Sequence, residues 1–317
     1  MLLLSVFIVV FFGVIYKERV DFTPAGVSDE MFITAEDLKP LADAGTATIL
    51  DARGSFGDHI PGAQHAKWET FAVGGSESTK SVLKPVAELQ SLLSARGVSA
   101  SQQVVVYGDW ANAWGEEGRL LWMLDYLGHP DVKVLYGGID AWKQPAPNGK
   151  GYATSDSATT AATGAFVSPG LQEQYKATSD EIAAAVQLGL CNYIFVDTRT
   201  KAEYEGSAAM YNAARDGRIP NALWYPWEQV FDADGGNLRD KDTIKAELEA
   251  AGVSDNSIVV SYCTGGIRSG FLYMVLKWVG YDGIGTMPLA REPATPHQTH
   301  TRTRTRTTQA TPGNILP

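Results

Sequence analysis

Ile258-Val259-Val260-Ser261-Tyr262-Cys263-Thr264-Gly265-Gly266-Ile267-Arg268-Ser269 is the stretch that decides how this chain is read. The first residues are apolar and β-branched, as a strand buried on both faces of a parallel sheet requires. A helical pattern, Phe271 to Trp278, follows the glycines. The order strand, tight turn, helix puts Cys263 at the carboxyl end of a parallel strand, where open α/β sheets bind ligands. Gly265 and Gly266 let the backbone turn with no Cβ in the way. Successive N–H groups can then point inward as an anion nest, reinforced by the start of the helix. Arg268 adds a fixed charge and a fork of donors. Such surroundings lower a thiol pKa and expose a thiolate at neutral pH. Cys191, the only other cysteine, abuts an apolar run without a basic neighbour, so it is expected to be buried and inert.

Working outward, the chain repeats itself. Thr34-Ala-Glu-Asp-Leu-Lys, Thr48-Ile-Leu-Asp-Ala-Arg53 and His59-Ile-Pro-Gly-Ala63 return as Thr178-Ser-Asp-Glu-Ile-Ala, Tyr193-Ile-Phe-Val-Asp-Thr-Arg199 and Arg218-Ile-Pro-Asn-Ala222. Val104–Tyr107 pairs with Ile258–Tyr262, and Leu120–Gly128 with Phe271–Gly280. The second copy carries extra residues, Ser207 to Asp216, in one loop. Short β-branched runs alternate with helical patterns in each copy, which predicts a parallel sheet flanked by helices. Thr34 and Thr178 read as helix N-caps. Gln144 to Pro169 is rich in Pro, Gly, Ser, Thr and Ala, a linker composition.

The landmarks together resemble a tandem-domain rhodanese, a sulfurtransferase of the thiosulfate or 3-mercaptopyruvate type. They are Asp51-Ala-Arg53 with His59-Ile-Pro-Gly-Ala63, Asp197-Thr-Arg199 with Glu203-Tyr-x-Gly206, Tyr136-Gly-Gly-Ile-Asp-Ala-Trp142 and the Cys263 loop. The resemblance runs from about Thr34 to Tyr281. It implies an α/β fold of two rhodanese-like domains, each a parallel sheet flanked by helices. The expected organisation is a signal peptide or membrane anchor over 1–20 and a catalytically silent domain over 30–145. A linker over 146–170, a catalytic domain over 171–287 and a disordered tail over 288–317 follow.

The reaction so implied is a double displacement. Cys263 takes a sulfane sulfur from a small anionic donor as a persulfide, then passes it to a thiol or to cyanide. Thr264, Gly265, Gly266, Ile267, Arg268 and Ser269 would bind the substrate, with loop N–H groups on the persulfide and Arg268 attracting the donor. Asp197 and Arg199 resemble the pair that fixes the domain's first loop near the site; a purely structural ion pair reads them equally well. The first copy has Gly108 or Asp109 where the second has Cys263. It should therefore be silent and wall the cleft with Trp110 or Trp114, unless these tryptophans are core.

Two rival readings stay open. A cysteine phosphatase or arsenate reductase also sets a thiolate in a nest with an arginine. Their loop, however, is one residue longer than Thr264, Gly265, Gly266 and Ile267. A non-catalytic sulfur-binding module is the other. The family's usual closing strand and helix after Tyr281 give way to Thr299-His-Thr-Arg-Thr-Arg-Thr-Arg306, which favours that module, while the intact Cys263 loop opposes it.

Composition narrows partners. The 317 residues carry 36 acidic and 26 basic side chains, a net charge of −10. That argues against nucleic acid. Two cysteines cannot build a disulfide scaffold or a four-thiolate zinc site, and no cofactor or metal is expected. Leu2 to Tyr16 is almost continuously apolar and is followed by Lys17, Glu18 and Arg19. As a helix it would reach about 22 Å, short of the roughly 30 Å hydrocarbon core. A signal-peptide core or a short anchor fits that length, so the expected location is the periplasm or cell envelope.

Overall fold

A computed structural model describes residues 31–74, 81–144, 151–157, 159–160, 164–208 and 216–288. The expected signal or anchor, most of the extra loop and the tail after Pro288 lie outside the described residues. Among those described, no helix is long and apolar enough to cross a membrane.

The first copy runs β1 (Phe32–Ile33), α1 (Ala35–Ala44), β2 (Thr48–Asp51), β3 (Gln64–His65), α2 (Val86–Ser94), β4 (Val104–Tyr107), α3 (Glu116–Tyr126), β5 (Val132–Leu135), α4 (Gly138–Lys143). The second runs α5 (Ser179–Leu188), β6 (Tyr193–Asp197), α6 (Lys201–Glu205), β7 (Leu223–Trp224), α7 (Lys241–Ala250), β8 (Ile258–Cys263), α8 (Ile267–Trp278), β9 (Ile284–Pro288). The sheets are five-stranded, β1-β5-β4-β2-β3, and four-stranded, β7-β6-β8-β9. All their pairs are parallel. Apolar residues on both faces of β4 and β8 explain their central places: Val104, Val105 and Val106 are fully buried, as is Val259.

Local chemistry sets the helix ends. Thr34 Oγ1 accepts from the Asp37 N–H at 3.1 Å, and Thr178 Oγ1 from the Glu181 N–H at 3.2 Å. Helix α8 begins at Ile267 rather than Phe271, because Gly266 takes a left-handed φ of 75° and turns the chain straight into it. Strand β9, in doubt from the sequence, is present and pairs with β8 from Val259 to Cys263. The described pieces of the linker are pinned to the first copy. Ser155 bridges His59, and the Phe166 N–H donates to Ser94 Oγ at 2.9 Å.

The two domains share one core. Helices α3 and α8 cross where neither can carry a Cβ. One built on Gly118 would stand 2.4 Å from Phe271 Cα, and one on Gly270 2.7 Å from Arg119 Cα. That approach lets Phe271 reach across the boundary. Its ring meets Trp110 at 5.5 Å, Trp227 at 5.3 Å and Phe231 at 5.3 Å between centroids. Full burial of such a ring contributes about 1.5–3 kcal/mol. The strand–turn–helix that carries Cys263 is thus clamped from the side by the first domain.

Candidate active site

Cys263 ends β8 and is 1% exposed, while Cys191 lies exposed in the turn between α5 and β6. The expectation of a buried Cys191 is therefore corrected. Its apolar neighbours belong to the strand, but the turn before β6 carries Cys191 itself outward.

The turn after β8 wraps the sulfur. The Gly266 N–H donates to Cys263 Sγ at 3.1 Å. Burial pushes the thiol pKa up. The Arg268 charge, the Ser269 backbone and hydroxyl and the Gly265 backbone outweigh it, so the thiol is held below its ordinary value. The nest read from the glycines thus engages the sulfur through Gly265, Gly266 and Ser269, with Arg268 beside it.

Arg268 is 4% exposed and does not project freely toward solvent. Its Nη1 donates to Glu203 Oε2 at 2.8 Å and its Nη2 to Glu203 Oε1 at 3.0 Å. Burial works against the cation, but Glu203 and Cys263 outweigh it and raise its pKa. Burial also opposes the Glu203 carboxylate; Arg268 and Thr200 overcome it and bring the pKa down to about 2. Glu203 closes the capping box of α6, taking the Thr200 N–H at 3.1 Å and the Thr200 hydroxyl at 2.9 Å. Thr264 Oγ1 donates to its other oxygen at 3.4 Å. Glu203 therefore sets both the start of α6 and the place of Arg268. Behind the turn, Thr286 of β9 donates to Ser269 Oγ at 2.8 Å, and Ser261 Oγ to Ser269 O at 3.0 Å. The closing strand thus holds a hydroxyl that faces the sulfur.

Asp197 and Arg199 do not reach the sulfur. Arg199 Nε and Nη2 grip Asp197 at 2.9 and 2.7 Å, and Nη2 reaches Gly217 O at 2.7 Å. Arg53 repeats the arrangement with Asp51 at 2.9 and 2.7 Å and with Asp58 O at 2.8 Å. A pair built alike in the copy without a nucleophile serves the fold: it ties the end of the strand to the following loop.

The cleft over Cys263 has a volume of about 230 Å³ and is lined by both domains. Trp68, Glu69, Trp114 and Glu116 come from the first, Cys263, Gly265, Ile267 and Arg268 from the second. The two candidate tryptophans divide. Trp110 is 1% exposed core; Trp114 is 47% exposed and stands in the cleft, its ring centre 5.6 Å from the Arg268 guanidinium. Trp68, Glu69, Glu116 and the role of Glu203 are additions that the sequence did not signal. A further buried group from the first domain is Arg119, 2% exposed, whose Nη2 donates to Ser81 O at 2.6 Å. Among the described residues no His/Cys/Asp/Glu group could hold a metal ion.

The rhodanese-like domain profile matches twice, over residues 34–145 and 179–287. A thiosulfate sulfurtransferase of Pseudomonas aeruginosa is 29% identical over 263 residues, covering 80% of this chain and 90% of that protein. One of Azotobacter vinelandii is 29% identical over 267 residues, with 80% and 90% covered. The fold is like that of the 3-mercaptopyruvate sulfotransferase SseA from Escherichia coli. The TM-score is 0.66 at 21% identity, covering 80% of this chain and 96% of that one. Two profile matches in tandem, each on its own parallel sheet, place the chain in the rhodanese-like family.

Proposed function

We propose that the protein is a sulfurtransferase that moves a sulfane sulfur from a small anionic donor to a thiol or cyanide through a persulfide on Cys263. The observation that carries this reading is the buried thiol whose pKa is held down by Arg268, Ser269 and Gly265, with the Gly266 N–H on its sulfur. A thiolate so held attacks the outer sulfur of the donor. A new S–S bond forms, the old bond to that sulfur breaks, and its electron pair leaves with sulfite, or with the pyruvate enolate, which then takes a proton. The cradle that holds the thiolate also holds the persulfide anion. The relatives named for thiosulfate and the fold shared with a mercaptopyruvate enzyme support a donor of one of these two kinds. A phosphatase reading is disfavoured because only Thr264, Gly265, Gly266 and Ile267 separate Cys263 from Arg268, one residue fewer than such a loop carries, which suits a single sulfur rather than a tetrahedral phosphate. The reading includes export to the cell envelope, supported by the apolar run Leu2 to Tyr16.

The test assays thiosulfate with cyanide beside mercaptopyruvate with a thiol. Cys263→Ser should abolish transfer and the mass gain of one sulfur, while Cys191→Ser keeps most activity. Transfer that survives Cys263→Ser and dies with Cys191→Ser would overturn the assignment.

A further inference from the structure

Arg119 of α3 is a buried cation near the sulfur that no carboxylate matches among the described residues. It is 2% exposed, and among the described residues its Nη1 has no hydrogen-bond partner. Its Nη2 donates to Ser81 O at 2.6 Å, and its guanidinium carbon stands 4.4 Å from the centre of the Trp122 ring. A cation held so deep is costly unless an anion faces it. Burial brings its pKa down to about 10, which leaves it charged at neutral pH, and the charge that works against burial is that of Cys263.

The fold lays this cation along the first-domain flank of the sulfur cradle. A Cβ on Gly270 would meet Arg119 Cα at 2.7 Å and Arg119 N at 2.9 Å, so the backbone of Arg119 lies directly against the residue after Ser269. Ser269 holds the sulfur from one end of the turn and Gly265 from the other. Ser81, which anchors the far end of the Arg119 side chain, has its Oγ 3.7 Å from the place of a Gly265 Cβ. The side chain thus runs from the neighbour of one sulfur contact to the neighbour of the other. The charges divide accordingly. Arg268 is ion-paired with Glu203, and that pair as a whole is neutral. Arg119 is the cation left to balance a thiolate.

We infer that Arg119 is a positioning residue for sulfur transfer: the first domain, which has no cysteine at the end of its central strand, supplies the counter-charge that keeps Cys263, and the persulfide formed on it, anionic. This inference rests on the persulfide reading above. Arg119 is not among the residues that line the cleft. It acts on the sulfur from behind, and one field stabilises the thiolate and the persulfide alike. A positive charge behind the sulfur also favours the approach of an anionic donor. Replacing Arg119 by a neutral side chain removes that charge, so the thiol should hold its proton to higher pH. The other charged or titratable groups around the sulfur are Arg268 on α8, Glu203 on α6, Glu116 on α3 and Glu69 in the turn Trp68–Phe71. All of them stay in place when Arg119 alone is changed, so a shift between variants reports Arg119.

The experiment uses the full chain with Cys191→Ser, so that alkylation by iodoacetamide reports Cys263 alone, and follows the alkylation rate against pH. Arg119→Gln keeps a donor for Ser81 O and removes the charge; Arg119→Lys keeps the charge. The Cys263 inflection should move up by roughly half to one pH unit in Arg119→Gln and return most of the way in Arg119→Lys. The pH profile of persulfide formation from thiosulfate should move with it. A second measurement needs no folded Arg119 variant. In the wild-type protein the nitrogen-NMR signal of the Arg119 side chain should step at the Cys263 midpoint, and in Cys263→Ser that step should vanish. An arginine with a structural role alone would cost stability on replacement and move neither titration. A wild-type inflection in Arg119→Gln, or an Arg119 signal that ignores the Cys263 midpoint, would overturn the inference while leaving the persulfide reading intact. Failure of the wild-type protein to load any sulfur on Cys263 would instead bring down the persulfide reading, and this one with it.

Discussion

The turn after β4 and the turn after β8 occupy the same place in the two halves, and only one holds a thiol. Their frames are nearly superimposable in chemistry. Tyr107 lies beside Asp51 in the first sheet as Tyr262 lies beside Asp197 in the second. The Tyr107 hydroxyl accepts the Ile60 N–H at 3.2 Å, and that of Tyr262 the Ile219 N–H at 3.2 Å. Gly115 and Gly266 both enter the next helix with a left-handed φ, 82° and 75°. Within that frame the turn is longer in the first half, Gly108 to Gly115 against Cys263 to Gly266, and two of the differing positions bear on the sulfur: Gly108 stands where Cys263 stands, and Glu117 where Arg268 stands. They differ together. A Cβ on Gly108 would lie 2.0 Å from Glu117 Oε2, so the carboxyl of the first half fills the place of the missing side chain. Among the described residues no other residue donates a hydrogen bond to either Glu117 oxygen. The comparison teaches that the fold supplies the pocket, while the identity of one helix residue decides whether the pocket favours a thiolate. A cation at that position stabilises one; a carboxyl there excludes it.

The largest expected effect comes from removing that cation. Arg268→Ala should lower persulfide formation at neutral pH roughly ten- to a hundredfold, the equivalent of about 1.5–3 kcal/mol for a charge-assisted contact. The sign follows from the thiol. Arg268 depresses its pKa, so without Arg268 the pKa rises and less thiolate is present near pH 7. The rate of persulfide formation should recover in part as pH is raised. A pH–rate profile that keeps its wild-type position would show that Arg268 does not set the thiolate population.

A smaller effect is expected at the matching position of the first half. Burial raises the pKa of Glu117 to about 8, so the native state holds a proton that the unfolded chain has released. Its contribution to stability is then full below the unfolded pKa, near 4.3, and is lost as pH rises through about 8. Glu117→Gln should leave stability near pH 5 little changed and raise it near pH 9, by on the order of 1–3 kcal/mol. Denaturant unfolding of both proteins at the two pH values is the check; parallel curves would mean that Glu117 does not titrate in that window.

The smallest effect separates the closing strands. In the first sheet β5 lies between β4 and β1. In the second, β9 is bonded to β8 along its length, but among the described residues its outer side has only a bridge between Thr286 and Lys176. Amides of Ile284 to Thr286 should exchange with solvent about tenfold faster than those of Val132 to Leu135. Equal protection would mean that the Lys176 bridge shields the outer edge of β9 as well as β1 shields that of β5.

Much of the architecture is legible in the residues. The repeat, the β-branched central strands and the threonine caps are local patterns, and each predicts its own element. Cys263 and its cradle are legible for the same reason: the bond from the Gly266 N–H to Cys263 Sγ spans three residues, so spacing alone brings them together. Arg268 is visible as a cation near the cysteine, but its partner is not. Glu203 lies 65 residues away, and the capping box it completes gives no sign that its carboxylate also faces another helix.

The sequence by itself determined that this chain makes two parallel-sheet domains and that only the second carries a cysteine at the end of its central strand, because strands, turns and caps are written in neighbouring residues. The tertiary structure alone decided what surrounds the sulfur. The packing of Gly118 and Gly270 brings α3 against α8. The cleft so formed sets Glu69 and Glu116 of one domain opposite Cys263 of the other. It also decided that Cys191 is exposed and Cys263 buried. Burial and the field at a site depend on which distant elements pack together, and no local period in the chain records that.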